Sequence, residues 1–392
     1  MKETKEKQNV SKKKSVRNIF IVAVIFLFIV AALVLISFTH EPKSDPASEK
    51  IIREAAAKQL NIDPNDMTDE DFAQIKILYI YGKELCDIKL LDKFINLERL
   101  DLAAIQFPRD RIPKWMKLLE KTGVVNTNER FTIDLTPLEK LTKMEALVLR
   151  HMTIIPTDDV SFLSFPITSE YAPFKNLGPI SSLENLKELN LNGALVRDLE
   201  PIKKLKNLEI LNLSKSNVTN IKPLNGLVKL KILDLTETAV NDLEPLRKLS
   251  NLEELYLGNT KVSSLEPLTG LKNLDTLQFF NTEVSDLEPL KGLTNLRVLS
   301  VFSNKLTNLE PLRNLAKLEE IVLVEKQVYD IEPISQLKKL ENLNINNSLI
   351  SNIEPLKELS ALKRLNINNC HEISDKQVED LQKALPNLKI MK

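Results

Sequence analysis

The sequence predicts an α/β solenoid of about twelve short coils that stack side by side behind one N-terminal transmembrane helix. Of the 392 residues, 68 are Leu and only 8 are Gly, although Gly ordinarily makes up about 7% of a protein. A unit of 22 residues recurs along most of the chain. Within each unit one segment alternates apolar and polar residues, which is typical of a strand buried on one face.

The repeat is regular from Leu183 onward, where it reads LxxLxxLxLxxxxVxDLEPLxx, and we number its positions from that first Leu. Consecutive units begin at Leu183, Leu205, Leu227, Leu249, Leu271, Leu293, Leu315, Leu337 and Leu359. Earlier units begin at Phe72, Phe94 and Leu141, and the last two of these contain insertions at about 104–129 and 155–175. The repeats therefore span residues 72–384.

Each feature of the unit has a physical reason. The alternating segment places Leu inward on a strand, and the next unit stacks its strand in parallel about 4.8 Å away. Pro at position 19 suits a tight return turn, and Asp or Asn at position 16 can cap that turn. One coil cannot bury its Leu side chains alone, so the coils must stack. We expect the small side chains at position 12, including Cys370, to line this core.

The N-terminus predicts a membrane anchor. Ile19 to Phe38 is a run of 20 residues without a charge, which is long enough to cross a bilayer as a helix. Residues 1–18 contain seven Lys or Arg and two Glu, so this basic tail should stay in the cytoplasm while the repeats lie outside. A cleaved signal peptide and a secreted product are the alternative. Residues 39–48 read as a linker.

The repeats resemble the leucine-rich repeats of the internalin type, and also those of the regulatory subunit of protein phosphatase 1. This resemblance implies a leucine-rich-repeat horseshoe or arc with a parallel concave sheet. Residues 49–71 look like the helical N-terminal cap of internalin-like arrays, and residues 385–392 look like the end of a C-terminal cap. The family resemblance implies ligand binding without catalysis.

Composition and motifs exclude several other functions. The chain has 54 basic and 54 acidic residues, which does not favour nucleic acid as a partner. It contains only two Cys and three widely separated His, so no zinc site is predicted. Phosphate-loop, dinucleotide-binding, metalloprotease and nucleophile-elbow motifs are absent from the sequence. We therefore predict no enzyme activity, no cofactor and no metal.

One region of the concave face differs from the polar remainder. Positions 6, 8 and 10 should point outward, and most hold polar residues such as Glu188, Asn190 and Asn212. Four consecutive units instead supply Tyr256, Phe280, Phe302, Val322 and Val324. An apolar patch rimmed by polar groups suggests a partner site. The alternative is that these side chains simply pack on one another.

The two insertions are the other candidate binding region. Loops of this length inside a regular array are usually functional or disordered. The aromatic candidates in them are Trp115, Phe162, Phe165, Tyr171 and Phe174. Tyr79, Tyr81, Arg150 and His151 lie on neighbouring predicted strands and could join the site. The alternative is that the insertions brace the convex face.

Together these features predict a non-catalytic repeat protein on the outer side of a bacterial membrane. Its partner would be a protein, or a glycan, bound by the concave face and the insertions. One alternative is a cytosolic scaffold of the phosphatase-regulator type. The other is a secreted adhesion or virulence factor.

Overall fold

The structure, a computed structural model, describes residues 44–85, 87–103, 133–149, 176–302, 305–324 and 327–392. The predicted membrane segment, 19–38, and both insertions lie outside these ranges. Among the described residues, no helix combines the length and the apolar character needed to cross a membrane.

Thirteen strands of the described chain form one continuous parallel sheet, in which each strand pairs with its neighbours in sequence order. The strands are β1 Ile77–Tyr81, β2 Arg99–Ala103, β3 Ala146–Val148, β4 Glu188–Asn190, β5 Ile210–Asn212, β6 Ile232–Asp234, β7 Glu254–Tyr256, β8 Thr276–Phe280, β9 Val298–Phe302, β10 Glu320–Leu323, β11 Asn342–Asn344, β12 Arg364–Asn366 and β13 Lys389–Met391. Equivalent positions of adjacent units are partners, as Leu233 and Leu255 illustrate. The predicted solenoid with a parallel sheet is therefore confirmed.

A short 3₁₀ helix returns the chain on the other side of every described coil except the last. These turns are Lys89–Lys93, Thr136–Lys140, Gly178–Ser182, Glu200–Lys204, Lys222–Gly226, Glu244–Leu246, Glu266–Leu268, Glu288–Leu290, Glu310–Leu312, Glu332–Gln336 and Glu354–Glu358. From the second turn onward, Pro is the second residue, where its missing N–H and fixed φ suit a helix start. The predicted cap is present: Asp242 Oδ1 accepts from the Glu244 N–H at 2.8 Å, and Asn308 does the same for Glu310 at 2.9 Å.

The core is a stack of Leu, Ile and Val side chains between the strands and the 3₁₀ turns. Leu230, Leu233 and Leu235 of one unit are all fully buried, and the same holds in the units on either side. Position 12 lines this core as predicted. The Thr238 hydroxyl donates to the Leu235 carbonyl at 2.6 Å, and the buried Cys370 thiol lies 3.1 Å from the Ile345 carbonyl oxygen.

Helices close both ends of the stack. At the N-terminal end, α1 (Pro46–Leu60) and α2 (Asp69–Gln74) precede β1, and Gln59 Nε2 donates to the Ile77 carbonyl at 2.9 Å. At the other end, α3 (Asp375–Ala384) begins with a capping box and leads into β13. Each helix buries apolar side chains against the terminal coil, so the end coils are not left open to water.

Candidate functional site

The side chains at positions 6, 8 and 10 project from the sheet away from the Leu core, and we call this surface the open face. In five of the described units Asn or Asp at position 8 accepts a hydrogen bond from the N–H of position 10. The Asn212–Ser214 bond is 2.9 Å and the Asp234–Thr236 bond is also 2.9 Å. Neighbouring coils are linked as well, since Asn212 Nδ2 donates to Asp234 Oδ2 at 3.1 Å.

The strands that have this side-chain cap are short, and β7, which has Tyr256 at position 8, is equally short. Five units have the cap, and their strands β4, β5, β6, β11 and β12 are each 3 residues long. Because the side chain takes the N–H at position 10, that group cannot extend the ladder between strands. Where position 8 is Gln278 or Ser300, the strand is 5 residues long.

One break in this pattern is the predicted patch of Tyr256, Phe280, Phe302, Val322 and Val324. In its last unit, the Val324 N–H donates to the Val301 carbonyl of the preceding coil at 3.1 Å. Apolar side chains thus replace the Asn ladder in four adjacent coils, and the strand is longer than three residues in the last three of them. All five side chains lie on the open face. Phe302 is exposed, with 38% of its surface accessible, and the other four are half-buried.

Part of the burial comes from the patch itself. Phe280 and Phe302 are register partners on β8 and β9, and their ring centroids are 6.2 Å apart at an angle of 76°. An edge-to-face arrangement of this kind stabilises aromatic pairs beyond their buried area. The aromatic side chains of the patch therefore pack on one another, and Phe302 is nevertheless exposed to solvent.

The ring of Phe280 packs over Gly258, a residue that was not among the predicted site residues. It occupies position 10 of the coil before Phe280. A Cβ atom at residue 258 would lie 2.2 Å from Phe280 Cζ, so the ring covers the glycine backbone. The signal was available in the sequence, because Gly258 shares position 10 with Phe280, Phe302 and Val324.

Tyr256 adds a polar group at the edge of the patch. Its hydroxyl donates to Glu254 Oε2 at 2.6 Å. Burial, together with this bond to a carboxylate, raises the pKa of the Tyr256 hydroxyl well above its ordinary value. The phenol therefore remains protonated across the physiological range and serves as a hydrogen-bond donor.

A second aromatic group lies at the N-terminal end of the open face. Tyr79 and Tyr81 on β1 are stacked, with centroids 5.9 Å apart, and both are exposed, at 45% and 49%. The Tyr81 hydroxyl donates to Asp101 Oδ2 at 3.2 Å. Arg99 lies next to this group and forms a two-point ion pair with Glu188, at 2.6 and 3.2 Å.

The Arg99–Glu188 pair is also absent from the sequence-based prediction. It joins β2 to β4 across β3, where the equivalent position is the small Ala146. Hydrogen bonding to Glu188 raises the pKa of Arg99 above its ordinary value. The remaining predicted site residues, Trp115, Arg150, His151, Phe162, Phe165, Tyr171 and Phe174, lie outside the described residues.

The described part of the chain offers no cluster of side chains suited to a metal ion, since no group of three or more His, Cys, Asp or Glu side chains there could hold one. On the side opposite the open face, the Glu before Pro is paired three residues later, as in Glu244–Arg247 at 2.6 Å. That row is thereby largely neutralised, which makes it a poor acidic docking surface.

Comparison with known proteins agrees with this architecture. A family model for leucine-rich repeats matches residues 228–270, 250–292 and 272–314. No curated protein matches the sequence.

Solved structures extend the similarity. The internalin InlF from Listeria monocytogenes is 25% identical, has a TM-score of 0.69 and covers 87% of each chain. The internalin InlC2 from the same species is 29% identical with a TM-score of 0.51, over 66% of this chain and 93% of its own. A leucine-rich-repeat protein from Leptospira interrogans is 23% identical with a TM-score of 0.65, over 82% of this chain and 74% of that one, and shows a common fold. The repeat unit, the continuous parallel sheet and these similarities show that the chain has a leucine-rich-repeat fold and resembles the internalins of bacteria.

Proposed function

We propose that this chain is a non-catalytic receptor-like protein that binds a protein partner through the open face. Ile19 to Phe38 would anchor it in a bacterial membrane, with the N-terminus in the cytoplasm and the repeats outside. The patch of Tyr256, Phe280, Phe302, Val322 and Val324 would form the centre of the interface. The Tyr79–Tyr81 group and the two insertions would extend it.

The break in the Asn and Asp ladder carries this proposal. The ladder satisfies backbone groups in five of the described units, and it also links neighbouring coils. Four consecutive units give it up and place aromatic and branched side chains there instead. Protein interfaces are enriched in aromatic residues at a central position surrounded by a polar rim. Asn212, Asp234 and Asn344 supply such a rim on both sides of the patch.

Capture experiments test the patch. The immobilised full-length chain would be exposed to surface proteins of bacterial and host cells, with mass spectrometry as the measurement. We expect the double variant Phe280→Ser with Phe302→Ser to lose the captured partner, while its thermal unfolding changes little. The matched control is Ile210→Ser, which removes an equally exposed apolar side chain from the open face outside the patch. Equal capture by the double variant would eliminate the patch as the site.

Topology tests the anchor separately. Protease added to intact cells should digest the repeats and leave a cytosolic control protein untouched. Protection of the repeats under these conditions would favour the alternative of a cytosolic scaffold, which needs no membrane segment. Recovery of the repeats from the culture medium, without the segment 19–38, would favour the secreted form.

A further inference from the structure

We propose that a groove beside the sheet, distinct from the open face, binds an acidic oligosaccharide. The groove has a volume of about 870 Å³ and runs along the chain segments that follow the strands. Its walls come from positions 11 to 15 of five successive coils, from Arg197 in the first to Asn281 in the last. The repeat thus presents equivalent polar groups at about the 4.8 Å spacing of adjacent strands.

The lining of the groove suits a hydroxyl-rich ligand. It contains side-chain hydroxyls and carboxamides, and no aromatic or large aliphatic side chain contributes to it. Asn281 Nδ2 donates to Asn259 Oδ1 at 2.8 Å, which leaves further amide hydrogens and the Asn281 oxygen directed to solvent or ligand. Such a surface offers donors and acceptors to a sugar and little to an apolar peptide.

Ser216 is the observation that points to a ligand. Its side chain is only 5% exposed and lines the groove, yet its hydroxyl has no hydrogen-bond partner among the described residues. The equivalent hydroxyls of Thr238 and Thr260 donate to carbonyl oxygens of their own coils, at 2.6 and 2.7 Å. Buried polar groups are normally satisfied. The Ser216 oxygen has almost no exposed surface, so a rotation of this side chain toward the groove would give it a ligand hydroxyl as its missing partner.

Two cationic side chains in the groove favour an acidic ligand. Arg197 and Lys261 lie on the groove wall three coils apart, and neither forms an ion pair with any described residue. The one acidic residue of the lining, Glu237, already faces Lys215 at 3.8 Å. The groove therefore presents uncompensated positive charge beside its hydroxyl and amide rows. A linear sugar chain with carboxylate groups matches both features.

Ala239 keeps the middle of the groove open. It occupies position 13, where the next coil has Lys261 and a later coil has Gln327. Ala239 is exposed, so a longer polar side chain there would fill the groove without disturbing the core. Ala239→Gln is therefore a blocking variant that reproduces a residue found elsewhere in the same row.

The test measures binding of defined probes to the full-length chain by isothermal titration calorimetry. A hyaluronan hexasaccharide and a uronic-acid polymer from a bacterial wall are the acidic probes, and maltohexaose is the neutral one. We expect binding of at least one acidic probe, weakening with salt because the contact is ionic, and no binding of maltohexaose. Which acidic probe binds more tightly identifies a host or a bacterial source.

Variants locate the site. We expect Lys261→Glu and Ala239→Gln each to weaken binding at least tenfold. Lys248→Glu makes the same charge change on the far side of the coil and should have no effect. Ser216→Ala should weaken binding without lowering the thermal midpoint, since it removes a hydroxyl that has no partner in the folded protein.

Three results would overturn the proposal: no acidic probe binds, maltohexaose binds as tightly, or both groove variants bind like the unmodified chain. Capture by the open-face patch is a separate measurement. It would survive failure of the groove, and the double variant Phe280→Ser with Phe302→Ser should still bind the acidic probe.

Discussion

Gly258 shows how a single residue shapes the candidate interface. The ring of Phe280 lies where a side chain at residue 258 would stand, so the glycine determines the direction in which the ring points. Phe302 then packs edge-on against that ring. The geometry of the patch therefore depends on a residue that contributes no side chain of its own.

We predict that Gly258→Ala will move the Phe280 ring while changing the free energy of unfolding by no more than about 1 kcal/mol. The contact is with the far end of a rotatable side chain on the open face, so the ring can turn away. Fluorine NMR of protein labelled with fluorophenylalanine would measure the movement. Gly270→Ala is the matched control, because nothing lies within 4 Å of its added Cβ. An unchanged Phe280 signal in Gly258→Ala would contradict the contact between the Phe280 ring and the backbone of Gly258.

Position 11 shows what residue-level sequence analysis did not detect. Gly193, Lys215, Glu237 and Asn259 all occupy this position and all have positive φ, between 53° and 72°. Gly and Asn favour the left-handed region, but Lys and Glu do not. The requirement for a left-handed residue could have been inferred from the Gly and Asn members of the row. It could not have been inferred from Lys215 or Glu237 individually.

At the level of elements, the return turn depends on the hydrogen bond from position 16. Asp242 Oδ1 accepts from the Glu244 N–H at 2.8 Å, at the residue that begins the 3₁₀ turn. We predict that Asp242→Ala lowers the free energy of unfolding by about 1 kcal/mol, as for other caps of this kind. Midpoints of chemical denaturation would measure the loss.

The matched variant for that turn is Asp242→Asn. Asn220 and Asn308 occupy the same position in other coils and make the same bond, at 3.0 and 2.9 Å. We therefore expect Asp242→Asn to retain stability to within a few tenths of a kcal/mol. If it loses as much as Asp242→Ala, the negative charge rather than the hydrogen bond stabilises the turn.

Strand length is an element property that the repeat alone does not predict. Both β5 and β8 carry buried apolar residues at positions 7 and 9, yet β5 has 3 residues and β8 has 5. The difference lies in the residue at position 8, between these two apolar positions. Asn212 binds the N–H of Ser214 and stops the ladder, whereas Gln278 makes no such bond and the strand continues to Phe280. In this pair of coils the side-chain cap therefore takes the place of further strand pairing.

For the whole molecule, the architecture could be predicted from the sequence because the same coil is repeated many times. Each unit places Leu at the same points, so the strand, the return turn and the core follow from a single averaged unit. The site could not be derived in this way, since it consists of departures from the average. Phe280 and Phe302 were visible as outward residues, but their shared contact and the Arg99–Glu188 bridge require the actual distances between coils.

Rows of ion pairs also act on the scale of the whole array. Lys231 and Glu209 lie on adjacent coils, 2.7 Å apart, and Arg297 reaches Glu319 at 2.8 Å. Hydrogen bonds to these cations lower the pKa values of Glu209 and Glu319 below their ordinary value of 4.5. Each pair is exposed and contributes little alone. Because the repeat multiplies them, their combined effect should appear in the pH dependence of unfolding.

We predict that the denaturation midpoint is highest between about pH 5 and pH 10 and falls on the acid side. A carboxylate whose pKa is lowered by folding stabilises the folded state above its unfolded pKa. That contribution is lost as pH falls through the lower, folded value. Folding raises the pKa of Lys231, so the pH dependence of its contribution runs in the opposite direction. This contribution to stability is complete below pH 10.5 and is lost above it. Denaturant titrations across this range measure the effect, and added salt should flatten the profile because the pairs are exposed. A midpoint that stays constant down to pH 3, or an acid loss insensitive to salt, would show that the ion-pair rows do not stabilise the array.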